Sequence, residues 1–265
     1  MPYFEVEPGV RLHYQDHGHG RPIVFVHGLG GASDAWDYQV LDLADHFRCI
    51  TLDLRGHGES DKPWGQYTYQ RYCADLLAFL TGLELSDVTL VGWSMGGHIA
   101  LKYVATIGTA VARLVTTGSG PRFFQDVDAP YGPALEQLPE FLQTMRLARF
   151  EMIDSIFTEH FHRKDLTVAR DLFVRNALKV PPFASISSFE STAAEDIRPA
   201  LGSLGIPVAA FTGRHDTTWD PRWSEVTASL VPGAWLRFFD NSAHAAFIED
   251  RVAWNQELVK FIEAH

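Results

Sequence analysis

Short apolar runs alternate with longer amphipathic stretches along the first 120 residues of the chain. The runs at 23–26 and 88–91 have the length and the continuous apolar character of strands buried on both faces. Residues 11–15 alternate between polar and apolar positions, which is typical of a half-buried strand. Amphipathic stretches at 34–46 and 68–80 predict helices between the strands. This alternation predicts an α/β fold with a mostly parallel central sheet and helices on both faces.

The same alternation resumes near the end of the chain. The further predicted strands are 49–54, 111–117, 207–212 and 235–239, and the further predicted helices are 221–230 and 251–264. For the helix at 34–46 we expect Ser33 or Asp34 as the N-cap, because short polar side chains accept hydrogen bonds from the first turn of a helix.

Residues 121–199 interrupt this pattern with helical spacing and no clear buried strand. The stretch holds nine of the 18 phenylalanines. We therefore predict an α/β core made of residues 1–120 and 200–265, with residues 121–199 inserted as a helical cap. A cap rich in aromatic rings could line an apolar pocket, and we predict Phe123, Phe157 and Phe161 as substrate-binding residues.

Composition and charge exclude several classes of partner. The net charge is −11, and an acidic surface repels phosphate backbones, so we expect no nucleic-acid partner. No apolar run could span a bilayer and no signal peptide is evident, so we expect no membrane partner. Cys49 and Cys73 lack metal-site spacing, which favours buried free thiols and a cytoplasmic location. No zinc, nucleotide or flavin motif is present, and we expect neither a metal nor a cofactor.

The pentapeptide Gly92-Trp93-Ser94-Met95-Gly96 is the strongest chemical signal in the chain. It follows the predicted strand at 88–91 and precedes a helix-like run. A serine between two glycines in a strand–turn–helix context is typical of a nucleophile on a tight, strained turn. We predict Ser94 as the nucleophile of a serine hydrolase.

A serine nucleophile needs a base and a group that orients the base. Asp216 and His244 each follow a predicted strand, at the sheet edge where such groups gather. The order Ser94, Asp216, His244 is the order of the α/β-hydrolases. Asp220 remains a rival for the acid. We interpret the other histidines, His160 among them, as residues without a catalytic role.

The developing oxyanion needs hydrogen-bond donors. The backbone N–H of Met95, directly after the nucleophile, is one candidate, and that of Leu29, in the glycine-rich loop after strand 23–26, is the other. Trp93 and Trp219 flank the predicted triad in sequence, and we add both to the predicted substrate-binding residues.

The chain resembles the α/β-hydrolase superfamily over almost its whole length. The residues that carry the likeness are 27–31 (HGLGG), 53–60 (DLRGHGES), 92–97 (GWSMGG), 213–216 (GRHD) and 243–244 (AH). The chain is most similar to the compact cofactor-free branch, which includes small carboxylesterases, non-haem haloperoxidases or perhydrolases, and lactonases. Two positions depart from the branch. Leu29 stands where perhydrolases often have an aromatic residue, and Pro221 comes one residue later after Asp216 than is common.

The resemblance implies a hydrolase of small molecules. We predict that it cleaves a carboxylic ester of a small or medium, largely apolar substrate through an acyl-enzyme. The alternatives are a lactonase for enol-lactones or acyl-homoserine lactones, a perhydrolase, and a hydrolase-fold ligand receptor with slow turnover. The expected partner is a small ester or lactone, and assembly into a homo-oligomer stays open.

Overall fold

A computed structural model describes residues 2–65 and 67–265, and these residues form one eight-stranded sheet. Positions 1 and 66 of the predicted core lie outside the described residues. The strands are β1 (Tyr3–Glu7), β2 (Val10–His17), β3 (Pro22–Val26), β4 (Arg48–Leu52), β5 (Val88–Trp93), β6 (Val111–Thr117), β7 (Val208–Gly213) and β8 (Trp235–Phe239). Their order is β1-β2-β4-β3-β5-β6-β7-β8. Only the β1–β2 and β2–β4 pairs are antiparallel. The prediction of a mostly parallel sheet is confirmed.

Helices follow most of the strands. They are α1 (Asp37–Leu43), α2 (Tyr69–Gly82), α3 (Met95–Thr106), α4 (Leu138–Leu147), α5 (Arg149–Glu159), α6 (Thr167–Lys179), α7 (Pro182–Thr192), α8 (Arg198–Leu201), α9 (Arg222–Leu230), α10 (Ala246–Glu249) and α11 (Arg251–Ala264), with 3₁₀ turns at Ser33–Trp36 and Leu135–Gln137. None of the helices in the described ranges is long and apolar enough to cross a membrane.

Successive residues of the central strands point to opposite faces of the sheet. Val24 and Val26 belong to a core cluster that includes the apolar faces of α2 and α3. Ile23 and Phe25 belong to a second cluster, which contains Trp36 and side chains of α11. Burying side chains of this size stabilises the fold by about 1.5–3 kcal/mol each. The sheet is therefore a rigid base for groups at its carboxyl edge.

The predicted helix at 34–46 differs from the structure at both ends. It starts as a 3₁₀ turn, continues as α1 and ends at Leu43. Neither Ser33 nor Asp34 caps it through its side chain. The Asp34 carboxylate instead accepts a hydrogen bond from Asn176, and the backbone N–H of Ser33 donates to Asp53. These long-range bonds replace the local cap.

The segment between β6 and β7 contains α4 to α8. The predicted helical spacing of this segment did not give the bounds of these helices. Helix α8 crosses the predicted boundary at residue 199. The division of the chain into a core and a cap stays a prediction, and "cap segment" below means residues 121–199.

Cys49 and Cys73 are free and buried. Burial raises the pKa of each thiol to about 12, so both are neutral. The interpretation as buried free thiols is confirmed, while the cytoplasmic location stays a prediction.

Candidate active site

Ser94 lies on a sharp turn between β5 and α3. Its φ of 56° and ψ of −124° fall in a region that non-glycine residues rarely adopt, at a cost of about 1–3 kcal/mol. The flanking glycines make the turn sterically possible. A Cβ on Gly92 would overlap the carbonyl of Gly96, and a Cβ on Gly96 would overlap the carbonyls of Val26 and His27. The turn therefore holds the serine at the carboxyl end of β5.

Two backbone amides lie beside Ser94. Met95 is the first residue of α3, where N–H groups have no partner inside the helix and the helix dipole favours negative charge. Leu29 directly follows Gly28. The backbone of Gly28 approaches Ser94 so closely that a Cβ on this glycine would lie 3.3 Å from Ser94 Oγ. Neither amide donates a hydrogen bond within the described ranges, and both residues line the same cavity as Ser94. The two amides are thus free to bind an oxyanion.

Asp216 and His244 form a buried pair after β7 and β8. The distance from His244 Nδ1 to Asp216 Oδ2 is 2.7 Å, and neither side chain is exposed. The other carboxylate oxygen accepts the backbone N–H groups of Thr218 at 2.8 Å and Trp219 at 2.9 Å. A carboxylate only accepts hydrogen bonds, so Nδ1 carries the imidazole proton and Nε2 keeps a lone pair. Nε2 is buried and has no hydrogen-bond partner among residues 2–65 and 67–265.

The end of β6 connects Ser94 to this pair. The backbone N–H of Ser94 donates to the carbonyl of Thr117 at 3.0 Å. At the next residue, Gly118, a Cβ would lie 3.0 Å from His244 Nδ1 and 3.2 Å from Asp216 Oδ2. The serine and the histidine–aspartate pair therefore lie on either side of the end of β6, at the carboxyl edge of the sheet.

Asp220, the rival acid, pairs with Arg222 instead. Its two oxygens accept hydrogen bonds from the guanidinium at 2.9 and 2.5 Å. That ion pair lowers the pKa of Asp220. The geometry therefore favours Asp216 over Asp220 as the partner of His244.

Residues of the cap segment and of the β7–α9 connection enclose a cavity of about 960 Å³ above Ser94. Most of the surface that lines this cavity is apolar. Its wall includes these predicted residues: Leu29, Met95, Phe123, Phe157 and Trp219. The size suits a small-molecule ligand.

Two predicted substrate-binding residues, Trp93 and Phe161, do not line the cavity. Trp93 is buried below it, where Nε1 donates to the carbonyl of His244 at 2.9 Å. The indole thus supports the histidine loop from beneath. Phe161 packs in the core, with its ring centroid 5.8 Å from that of Phe173. Trp93 ends β5 and Phe161 follows α5, and both side chains pack into the same core cluster instead of the cavity.

His160 was missed by the sequence interpretation. It lines the cavity, is 4% exposed, and its ring centroid lies 4.4 Å from that of His244. Nδ1 lies 3.2 Å from Thr218 Oγ1. Burial, and then the nearby His244, hold the pKa of His160 well below 6.5, so the ring is neutral. No sequence motif marks this residue, because the contact depends on how the cap segment packs.

Glu249 fastens the histidine loop to the cap segment. Its carboxylate accepts the backbone N–H of Ala243 at 2.7 Å and that of Arg163 at 2.8 Å. The guanidinium of Arg163 donates back to the Glu249 carbonyl at 3.3 Å. Burial raises the pKa of Glu249. Residue 243 precedes His244, so this carboxylate fixes the loop that carries the histidine.

The comparisons with known proteins agree with the fold. The family model described as "alpha/beta hydrolase fold" matches residues 21–251. The chain belongs to the α/β-hydrolase family. The AB hydrolase superfamily protein YisY of Bacillus subtilis is 30% identical over 98% of both chains. The non-heme chloroperoxidase CPO-A1 of Kitasatospora aureofaciens is 28% identical over 99% of both.

Among solved structures, this α/β hydrolase is similar to the esterase EaEST from Exiguobacterium antarcticum. The TM-score is 0.94 and the identity 27%, with 98% of each chain covered. Within the described ranges, no group of three or more histidine, cysteine, aspartate or glutamate side chains could hold a metal ion.

Proposed function

We propose that the protein is a serine hydrolase that cleaves a carboxylic ester through an acyl-enzyme. His244 takes the Ser94 proton as the hydroxyl attacks the ester carbonyl. The amides of Leu29 and Met95 bind the oxyanion, each contributing on the order of a hundredfold in rate. His244 then gives its proton to the departing alcohol, and Asp216 stabilises the imidazolium in between.

In the second half of the cycle, water attacks the acyl group. His244 accepts a proton from the water and returns it to Ser94 as the acid leaves. The acid and the alcohol are released without any change of oxidation state.

One observation carries this proposal: a strained serine and a fully buried histidine–aspartate pair both follow strands at the carboxyl edge of one sheet. Such strain costs free energy and persists where function needs it. The cavity above the serine supports a small or medium, largely apolar substrate, because most of the surface that lines it is apolar.

A perhydrolase is the second candidate, supported by the chloroperoxidase relative. Hydrogen peroxide would replace water as the acyl acceptor in the same site, and a peracid would be released. A lactone would need the same residues, with both products of ring opening remaining in one molecule.

A purified-protein screen tests the proposal. Aryl and alkyl esters of increasing acyl length, and lactones, are assayed with and without peroxide, with Ser94→Ala as the control. We expect turnover on esters that Ser94→Ala loses. Retention of most ester hydrolysis by Ser94→Ala would exclude the mechanism. Ligand-induced stabilisation with negligible turnover would favour the receptor alternative.

A further inference from the structure

His160 is built into the site from two sides. It follows α5, and its carbonyl accepts the backbone N–H of Ala245, next to His244, at 3.2 Å. Its ring nitrogen Nδ1 meets the hydroxyl of Thr218, whose own N–H donates to Asp216. The imidazole is therefore tied to the loops that carry both members of the histidine–aspartate pair.

Packing alone does not account for an imidazole at this place. Its other ring neighbours are aromatic: Phe157 at 4.7 Å and Trp93 at 5.8 Å between centroids. A phenylalanine would fill such a site, and a buried polar ring costs free energy unless it is hydrogen-bonded. Nδ1 has the Thr218 hydroxyl, but no hydrogen bond from Nε2 occurs in residues 2–65 and 67–265.

The hydrogen of the neutral ring is assigned to Nδ1. Nδ1–H can donate to the Thr218 hydroxyl, whose oxygen lies 3.2 Å away, and we take this tautomer. Nε2 then holds a lone pair and can accept a hydrogen bond in a cavity where Ser94 also lies.

The contact with His244 decides which part of the substrate His160 meets. In the proposed cycle, His244 gives a proton to the leaving oxygen and later takes one from water. A cavity group against the His244 ring therefore lies on the side of the leaving group and the incoming water, away from the acyl chain. We propose that His160 binds and orients the water that attacks the acyl-enzyme.

In this step the water oxygen forms a bond to the acyl carbon. One water proton passes to His244 Nε2, and the other O–H donates a hydrogen bond to His160 Nε2 without transferring its proton. The bond from the carbon to Ser94 Oγ then breaks, and His244 returns the proton to that oxygen. His160 ends as it began, neutral.

The inference rests on the proposed function, and it affects the two half-reactions differently. The oxygen of an aryl ester has no hydrogen to donate to His160, whereas water does. Loss of the acceptor should therefore slow deacylation and spare acylation. A merely structural role would disturb His244 and slow both.

The test measures both rate constants on an aryl ester, by stopped-flow release of the aryl alcohol and by rapid-quench mass spectrometry of the acyl-enzyme. The variants are His160→Phe, which keeps a ring, and His160→Gln, which keeps a hydrogen-bonding oxygen. His162→Phe, at an exposed neighbouring position, is the control. Thermal unfolding of each variant checks that it is folded.

For His160→Phe we expect deacylation to slow about tenfold, the size of one hydrogen bond to a reacting group. Acylation should change less than about threefold, so that kcat and KM fall together when deacylation limits turnover. His160→Gln should recover most of the loss. An equal fall in both rate constants, or unchanged deacylation, overturns the role of His160. If the wild-type protein forms an acyl-enzyme on Ser94, the proposed function stands even when the role of His160 is overturned.

Discussion

Nδ1 of His244 lies 2.7 Å from Oδ2 of Asp216, and neither side chain has any exposed surface. The carboxylate fixes the tautomer that leaves Nε2 as a base. Asp216→Asn would turn an amide NH₂ or a single oxygen toward the ring and lose that control. We expect kcat on a simple ester to fall by about 10⁴-fold. Asp220→Asn is the matched control and should stay within about threefold. The reverse ranking would mean that Asp220 is the acid.

Gly96 lies in α3 where the end of β3 approaches that helix. A Cβ there would overlap the carbonyl oxygens of Val26 and His27, which are held by the sheet and cannot move aside. We expect Gly96→Ala to lower the free energy of unfolding by about 3 kcal/mol, measured by urea denaturation. Gly205→Ala, with no atom within 4 Å of the new Cβ, should change it little. Equal effects of the two variants would argue against this packing.

Glu249 accepts the backbone N–H groups of Ala243 and Arg163. Glu249→Gln keeps one oxygen but places an NH₂ against an N–H donor. We expect the free energy of unfolding to fall by about 1–3 kcal/mol, and kcat to fall with little change in KM because the His244 loop loosens. Glu263→Gln, at an exposed position, is the control. Unchanged kcat in a destabilised Glu249→Gln would separate the carboxylate from catalysis.

His98 is buried, and its Nδ1 donates to the carbonyl of Gly120 at 2.8 Å. Burial lowers its pKa to about 4. Between pH 6.5 and pH 4 the unfolded chain therefore binds a proton that the folded chain does not, and stability falls as the pH falls. From pH 7 to pH 5 this histidine should remove about 2 kcal/mol.

Urea denaturation at both pH values checks this. His98→Gln should reduce the loss of unfolding free energy between pH 7 and pH 5 by about that amount, whatever its effect at pH 7. His19→Gln, at an exposed position, should leave the difference as in the wild type. If the unfolding free energy of His98→Gln fell between pH 7 and pH 5 as much as that of the wild type, His98 would not be a buried neutral group.

The fold was largely predictable because strand and helix periods are local. Strand β6 and helix α11 have the predicted bounds. Strand β1 was not predicted, because it is only five residues long and is incompletely buried. The 3₁₀ start of the first helix was also missed, because its polar residues bond to distant parts of the chain.

The placement of Ser94, Asp216 and His244 followed from the ends of parallel strands, which meet at one edge of a sheet. The cap segment gives no comparable rule. His160 and Phe161 are neighbours, yet one lines the cavity and the other packs in the core. The sequence could not separate them, because both follow the end of α5 and their side-chain directions depend on packing between distant residues. Trp93, at the end of β5, was assigned to the pocket because it precedes Ser94 in sequence, but its side chain donates to the carbonyl of His244.

The covalent intermediate tests the central claim most directly. An aryl ester is mixed with the protein, the reaction is quenched in acid within milliseconds, and the digested peptides are analysed by mass spectrometry. We expect the acyl group on the peptide that contains Ser94, at up to one per chain, and its absence in Ser94→Ala. Turnover of the ester with no adduct under any quench time, or with the acyl group on another residue, would contradict the account.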